Sequence, residues 1–307
     1  MKKQIAILTG GESAEREIAL HSAETLMGLL GKYDVEIFDF PDEIEDFIEY
    51  RDTFDCAIPV FHGVGGEDGT VQGFLRTLGV PFLFSDVTAC AVGMDKALAK
   101  TVVVRAGVGT ASWIVVEKSD AIDVASIKIP CVVKPLDGGS TQGISIVKSV
   151  DEIGGALKMA FEFSERVLVE DCIVGDEFTV GVIDEGDETV ALPVIQIIAP
   201  NGFYNHAAKY SATPAEKVCP AKIDDDLRDR LQKTAVVAHR SVGARHLSRI
   251  DFIVDKVGEI WFLEINIIPG QSVLFPKAIA ASGRDYGEVL GRWIEEVCEE
   301  KEILSVY

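Results

Sequence analysis

Apolar and polar residues alternate with period two through residues 249–255 and again through 259–266. Val257-Gly258 between the two runs supplies a turn, so RIDFIVDKVGEIWFLEIN reads as a β-hairpin. Ile250, Phe252 and Val254 then share one face. A connection with an even number of residues centred on Val257-Gly258 sets Asp251 opposite Glu264 and Arg249 opposite Asn266. Trp261, Leu263 and Ile265 join the apolar side, and a three-residue loop breaks the match.

Residues 1 to about 95 alternate short apolar runs with helical patterns: QIAILTGG, a helix from about Glu15 to Leu30, VEIFDF, a second helix, CAIPVFHG, a third helix from Thr70 to Leu78, and VPFLFS. Such a βαβ series predicts a parallel sheet covered by helices. From about Met94 to Val180 a smaller α/β unit follows, with strands WIVVE, PCVVKPL, GISIV and RVLVED and a helix from Val150 to Phe163. A strand-rich core of FTVGVI, VALPVIQII and the hairpin comes next, closed by helices near 224–243 and 285–300. The expected division is 1–95, 96–180 and 181–307, three units packed as one body without a Pro/Gly/Ser-rich linker, repeat or low-complexity tract.

Composition narrows the class. The 307 residues are 48% hydrophobic and 26% charged, which fits a soluble globular chain with a large core. A formal net charge of −21 disfavours an extended nucleic-acid or anionic-membrane surface, and anionic substrates require local cation clusters. Six cysteines form no CxxC pair or zinc spacing, MKKQIAILTGG reads as a first strand rather than a signal peptide, and a reduced cytosolic chain is expected. No apolar run approaches the roughly 20 residues of a membrane span.

Several segments carry chemistry. Two carboxylates and an amide on the hairpin suit Mg²⁺, which keeps waters and usually binds substrate phosphates too. The plainer alternative is an ordinary ion pair of Arg249 on a solvated strand face. Lys134 ends a strand and is followed by GGSTQG, residues 138–143. Glycines there let backbone N–H groups approach phosphate oxygens, with Ser140 and Thr141 as further donors. The lysine precedes the glycines, so this is no P-loop, and a simple flexible hairpin explains it as well. Glu170 and Glu177 can accept hydrogen bonds from an adenine amine or ribose hydroxyls, or serve only as strand-edge solubilisers.

His62 opens HGVGGEDG at the C-terminal edge of the first sheet, where ligands collect in open α/β folds. Glu15 follows Gly10-Gly11, which either cradles an anion or makes a strand-to-helix turn; the full GxGxxG spacing of a dinucleotide site is absent. Lys209-Tyr210 lies in the loop-like FYNHAAKYSATP.

GGESAEREIALHSA, HGVGGEDGTVQG, MDKALAK, VVKPLDGGSTQGISIV, GDEFTV, FYNHAAKY and RIDF with LEINIIPG occur in this order. Together they resemble the D-alanine–D-alanine ligases of the ATP-grasp superfamily over nearly the whole chain. The resemblance implies an α/β (α+β) ATP-grasp fold, with an N-terminal parallel-sheet domain and two further subdomains clasping ATP. It implies Lys96, Lys134, Gly139 and Ser140 at the ATP phosphates, Glu170 and Glu177 at the adenosine, and Asp251, Glu264 and Asn266 at two Mg²⁺ ions, with Mn²⁺ as a substitute. Glu15, Thr141 and Tyr210 occupy the places of a Glu–Ser–Tyr set around the first D-alanine. His62, Lys209 and Ser272 fall at substrate-binding places, and Arg249 and the Gly270 N–H at an oxyanion. The implied partners are D-alanine and ATP, with no nucleic acid or membrane, in a cytoplasmic homodimer.

The pattern departs from the family in places. Thr141 stands for a serine, Phe84 for a glycine, and Ile267 and Gln271 for Thr and Met. GQSVLFP at 270–276 is about two residues shorter than a serine-rich segment that grips the second substrate. Donor activation is therefore expected intact while the acceptor stays open. A ligase using another amino or hydroxy acid, and a nucleotide-binding paralogue without turnover, are the competing readings.

Overall fold

The computed structural model describes residues 2–119, 126–138, 142–198 and 215–304, with side chains through 299. Strands β1 (Gln4–Gly10), β2 (Asp34–Phe40) and β3 (Cys56–Pro59) form a parallel sheet in the order β2-β1-β3. Ile5 to Leu8 of β1 are fully buried, as an unbroken apolar run in a covered central strand should be. Helices α1 (Arg16–Leu29), α2 (Ile44–Tyr50) and α3 (Thr70–Leu78) connect and flank these strands, with α3 where the periodicity places it.

VPFLFS is not a strand. It makes one parallel bridge, Phe82 to Ala57, in which the Ala57 N–H donates to Pro81 O and the Leu83 N–H to Ala57 O. Phe84 then takes a φ of 72°, which turns the chain out of the extended conformation. Gly10-Gly11 is a strand-to-helix turn. The Gly11 N–H is taken by Phe40 O at 2.8 Å, so it is not offered to an anion.

Helices α4 (Val87–Met94) and α5 (Lys96–Arg105) meet at Asp95, whose Oδ1 caps α5 by accepting from the Ala97 and Leu98 N–H groups. That cap sets Lys96 in the first turn. Strands β4 (Trp113–Glu117), β5 (Cys131–Pro135), β6 (Ser145–Val147) and β7 (Arg166–Asp171) form an antiparallel sheet in the order β4-β7-β5-β6. One face packs on α6 (Ile153–Ala160), which follows a 3₁₀ turn at Val150–Glu152 rather than running unbroken from Val150 to Phe163. Val133, Val167 and Val169 point into that core, so the alternate residues Lys134 and Glu170 point the other way.

Strands β8 (Gly175–Glu185), β9 (Glu188–Ala191), β10 (Ile195–Ile198), β11 (Glu216–Val218), β12 (Leu247–Asp255) and β13 (Ile260–Asn266) make the third sheet, ordered β11-β10-β8-β12-β13. β9 pairs with β8 on the edge that β10 also uses. VALPVIQII is thus two strands, split where Pro193 has no N–H for the ladder. Helix α7 (Asp225–Ser241) packs on β8, β9 and β12, while α8 (Leu274–Ala281) meets β8. The closing helix α9 (Tyr286–Leu304) reaches β3 and α1 of the first unit.

The β12–β13 hairpin reaches the expected pairing by an unexpected route. Its connection is the three-residue loop 256–258, closed by the Asp255 N–H donating to Glu259 O, with Gly258 at a φ of 85°. That loop by itself places Phe252 opposite Phe262. A bulge between the Asp251 and Phe252 pairs then absorbs one extra residue, and Asp251 faces Glu264 and Arg249 faces Asn266. The buried residues of β13 are consequently Phe262 and Ile265, and Trp261 and Leu263 do not join the core. Trp261 Nε1 donates to Asp255 Oδ2, and Leu263 turns to the cleft.

Candidate active site

The second and third sheets face each other across a cavity of about 490 Å³, closed at one side by α1 and the loop carrying His62. A second cavity of about 430 Å³ shares Glu15, Lys96, Lys134 and Gly138 with it. The cleft face of the third sheet carries the hairpin's polar set. Asp251 accepts Arg249 Nε and Nη2, both at 3.1 Å, and Asn266 Nδ2 at 3.2 Å, and Thr179 Oγ1 donates to its Oδ1. Glu264 stands opposite on β13 and lines the cavity. Glu177 lies on the same face and is pushed up to about 8, first by burial and then by Asp251 and Glu264.

Crowded acidic oxygens of this kind fit a divalent cation bound through oxygen. Among the described residues no three His, Cys, Asp or Glu side chains form a ready-made cage. A cation that arrives with phosphate oxygens and waters needs none.

Opposite stand the cations. Lys96 Nζ donates to Gly138 O at 2.8 Å, and burial holds its pKa down against the pull of Glu264. Lys134 Nζ lies 2.7 Å from Glu170 Oε1, and Lys100 Nζ lies 2.8 Å from Glu170 Oε2 and 2.5 Å from Thr110 Oγ1. Burial alone raises a carboxylate, but Lys134 and Lys100 outweigh it and hold Glu170 below its usual range. Lys100 is fully buried and lowered to about 8 by desolvation. Both Glu170 oxygens are engaged as counter-ion to two lysines.

At the α1 end, Glu15 and His62 line the cavity, and Gly270 and Ser272 line it at the entry to α8. Ser13 Oγ donates to His62 O, and a Cβ on Gly63 would sit 2.9 Å from Ser13 Cβ at a φ of 82°, so only glycine allows these two loops to close together. Gly139, Ser140, Thr141, Lys209 and Tyr210 lie outside the described residues.

Sequence reasoning missed Thr179, Lys100 and Lys217. Thr179 is two residues from Glu177 in GDEFTV and so shares its strand face, and Lys100 closes MDKALAK one helical turn after Lys96; both spacings were readable. Lys217 lines the cavity from β11, a three-residue strand with no chemical signature.

Residues 102–295 match the family model described as the D-ala D-ala ligase C-terminus. The D-alanine–D-alanine ligase of Pelotomaculum thermopropionicum is 35% identical, over 97% of this chain and 98% of that protein. The enzyme of that name from Geobacter sulfurreducens is 37% identical over 94% and 92%. Among solved structures, the D-alanine–D-alanine ligase of Bacillus anthracis superposes with a TM-score of 0.85 at 29% identity, covering 98% of this chain and 99% of that one. The VanG D-Ala:D-Ser ligase of Enterococcus faecalis gives 0.83 at 27% identity, covering 97% and 100%.

Proposed function

The chain belongs to the D-alanine–D-alanine ligase family, and we propose on that premise how its cleft divides the labour of joining two D-alanines with ATP for peptidoglycan synthesis. The observation that carries the reading is Asp251, held by Arg249, Asn266 and Thr179 and facing Glu264, with Lys96 and Lys134 across the cavity. An anionic phosphate chain fits between those two sets of charges.

In the first step an oxygen of the donor carboxylate attacks the γ-phosphorus, the bond to the β,γ-bridging oxygen breaks, and ADP leaves. Lys96 and Lys134 offset the charge on the transferring group. Mg²⁺ held by Asp251, Glu264 and Asn266, as two ions and with Mn²⁺ as substitute, would supply further charge neutralisation on the phosphates. In the second step the acceptor amine attacks the acyl carbon, and Arg249 and the Gly270 N–H stabilise the tetrahedral oxyanion. The carbon–oxygen bond then breaks with its electron pair leaving on the phosphate, and the departing phosphate takes up the proton lost by the amine. Glu15 and His62 hold the donor, Ser272 the acceptor, and Glu177 the ribose.

Gly139, Ser140 and Thr141, with Lys209 and Tyr210, are assigned to the two covers that keep water from the acyl phosphate. The reading includes a cytoplasmic homodimer; among the described residues no helix is long and apolar enough to cross a membrane. The test is mass-spectrometric product analysis with ATP, Mg²⁺ and a panel of D- and L-amino acids plus D-lactate. D-alanyl-D-alanine as the main product supports the reading, and ADP release without any dipeptide overturns it.

A further inference from the structure

Gln271 is fully buried although its neighbours Gly270, Ser272 and Val273 line the cleft. Its main-chain N–H donates to Ser22 Oγ at 3.2 Å, its Nε2 donates to Pro269 O, and its Oε1 accepts from the Tyr286 hydroxyl. One residue thus ties the turn at 270–272 to α1, to the chain leaving β13 and to α9. Tyr286 is itself buried, its phenol raised by desolvation and its ring 5.8 Å from that of Phe275 in α8. An apolar residue at 271 can fill the same space but leaves the Tyr286 hydroxyl and Pro269 O without this partner, so the amide is there for its hydrogen bonds.

The network continues to the other side of the cleft. Ser22 is fully buried, and its Oγ lies 3.4 Å from His62 Nε2. Because Ser22 Oγ accepts the Gln271 N–H, its own proton is available to Nε2. That leaves the ring proton on Nδ1, which lies 3.7 Å from Glu67 Oε1, and Glu67 Oε2 is fixed by the Gly63 N–H at 2.7 Å.

We propose that Gln271 is a positioning residue that holds the 270–272 turn from behind and, through Ser22, sets the tautomer of His62. The donor-side histidine and the acceptor-side turn are thereby fixed as one unit. This rests on the assignment of His62 to the donor and of Gly270 and Ser272 to the acceptor side.

The test compares the full-length parent with Gln271→Met, Tyr286→Phe and the double variant. Steady-state ADP release gives KM for ATP and for each D-alanine. A long-range ¹H–¹⁵N spectrum without substrate, with His62 assigned among the five histidines by its loss in His62→Asn, reads the tautomer. For Gln271→Met the expected result is a KM for the second D-alanine raised about tenfold or more, the scale of losing one buried hydrogen bond, with the ATP KM within about twofold. Residue 271 keeps its main-chain N–H in this variant, but the turn that carries it loses its side-chain ties to Pro269 and Tyr286, so the N–H moves off Ser22 Oγ and the His62 signals leave the Nδ1–H pattern. Tyr286→Phe moves the same KM by less, and the double variant goes no further than Gln271→Met.

Unchanged second-site KM and unchanged His62 signals overturn the proposal, as does an equal rise in both the ATP and second D-alanine KM, which marks a general loss of structure. Should Gln271→Met fail to fold, Tyr286→Phe decides by the same two readouts. If the parent releases no ADP with D-alanine, the functional reading falls and the His62 spectrum alone decides the positioning role.

Discussion

The Phe84 N–H donates to His246 Nδ1 at 2.9 Å, joining the two non-glycine residues that hold positive φ among the described residues, 72° and 66°. Both are buried against Trp293, His246 stacked at 5.2 Å and Phe84 edge-on at 6.2 Å. Each left-handed side chain costs about 1–2 kcal/mol, and the aromatic packing and the buried hydrogen bond offset it. The contact locks the end of the first unit to the residue preceding β12, the strand that carries Arg249 and Asp251.

That hydrogen bond requires an unprotonated Nδ1. Burial first, and Arg245 next, push His246 down to about 3 against an upward pull from Asp184, and Glu296 Oε1 stands 3.8 Å from Nε2. In the unfolded chain the imidazole titrates near ~6.5. Between those two values the unfolded state binds the extra proton, so this contribution is fully present above about 6.5 and is lost as pH falls toward 3. His246→Asn tolerates the positive φ but does not titrate. It should melt below the parent at neutral pH, and the gap should narrow steadily on acidification. Melting temperatures across the acid range check this, and a constant gap would place the acid sensitivity elsewhere.

Lys100 is fully enclosed by Glu170, Thr110 and the Trp113 ring 5.8 Å away. Removing one partner of a buried pair typically costs 3–5 kcal/mol, and because Lys134 remains on Glu170 the lower end, about 3 kcal/mol, is expected for Lys100→Met. Urea denaturation measures it. Adding Glu170→Gln to Lys100→Met should lower stability further, because Lys134 then loses the carboxylate 2.7 Å away, but by less than Glu170→Gln costs in the parent, since one of the two ion pairs of Glu170 is already gone; additive losses would show that Lys100 acts by packing alone.

How much of this was legible depends on how local the signal is. The period-two pattern placed Asp251 opposite Glu264 and Arg249 opposite Asn266 correctly. It did so on an even-numbered turn, and the three-residue loop is tolerated only because a bulge takes up the odd residue. A bulge has no composition of its own, so Trp261 and Leu263 were read as core and Phe262 was not. The end of the first sheet failed for a similar reason: VPFLFS looks like a strand, and only the φ of Phe84, set by distant His246 and Trp293, breaks it. Ser22 and Gln271 are separated by 249 residues, and nothing periodic links them.

Gly10 and Gly11 offer a paired comparison. Both have positive φ, 95° and 87°, but a Cβ on Gly10 would lie 2.2 Å from Asp39 Oδ1 and 2.6 Å from Phe40 O, whereas on Gly11 it would meet only Phe61 Cδ1 at 3.6 Å. Gly11→Ala should therefore cost little beyond the ~1–2 kcal/mol of the left-handed conformation, and Gly10→Ala clearly more because a backbone carbonyl cannot step aside. Chemical denaturation of both variants checks the order. Equal losses would mean that β2 yields at Phe40.

Glu264 is the residue whose loss separates chemistry from folding most cleanly. It faces Asp251 across the β12–β13 pair, lines the cavity without being buried in the core, and is the foremost group raising the pKa of Lys96 against desolvation. Glu264→Gln keeps the size and the strand position, and Phe262 and Ile265, which anchor β13 in the core, are untouched. Stability should stay within about 0.5 kcal/mol of the parent. Dipeptide formation should fall by about a hundredfold or more, the scale of removing one group that stabilises developing charge in a closed site. ADP release at saturating Mg²⁺ and D-alanine, alongside a melting curve, measures both quantities. Activity within a few-fold of the parent would remove Glu264 from the proposed cation ligands and leave that role to Asp251 and Asn266.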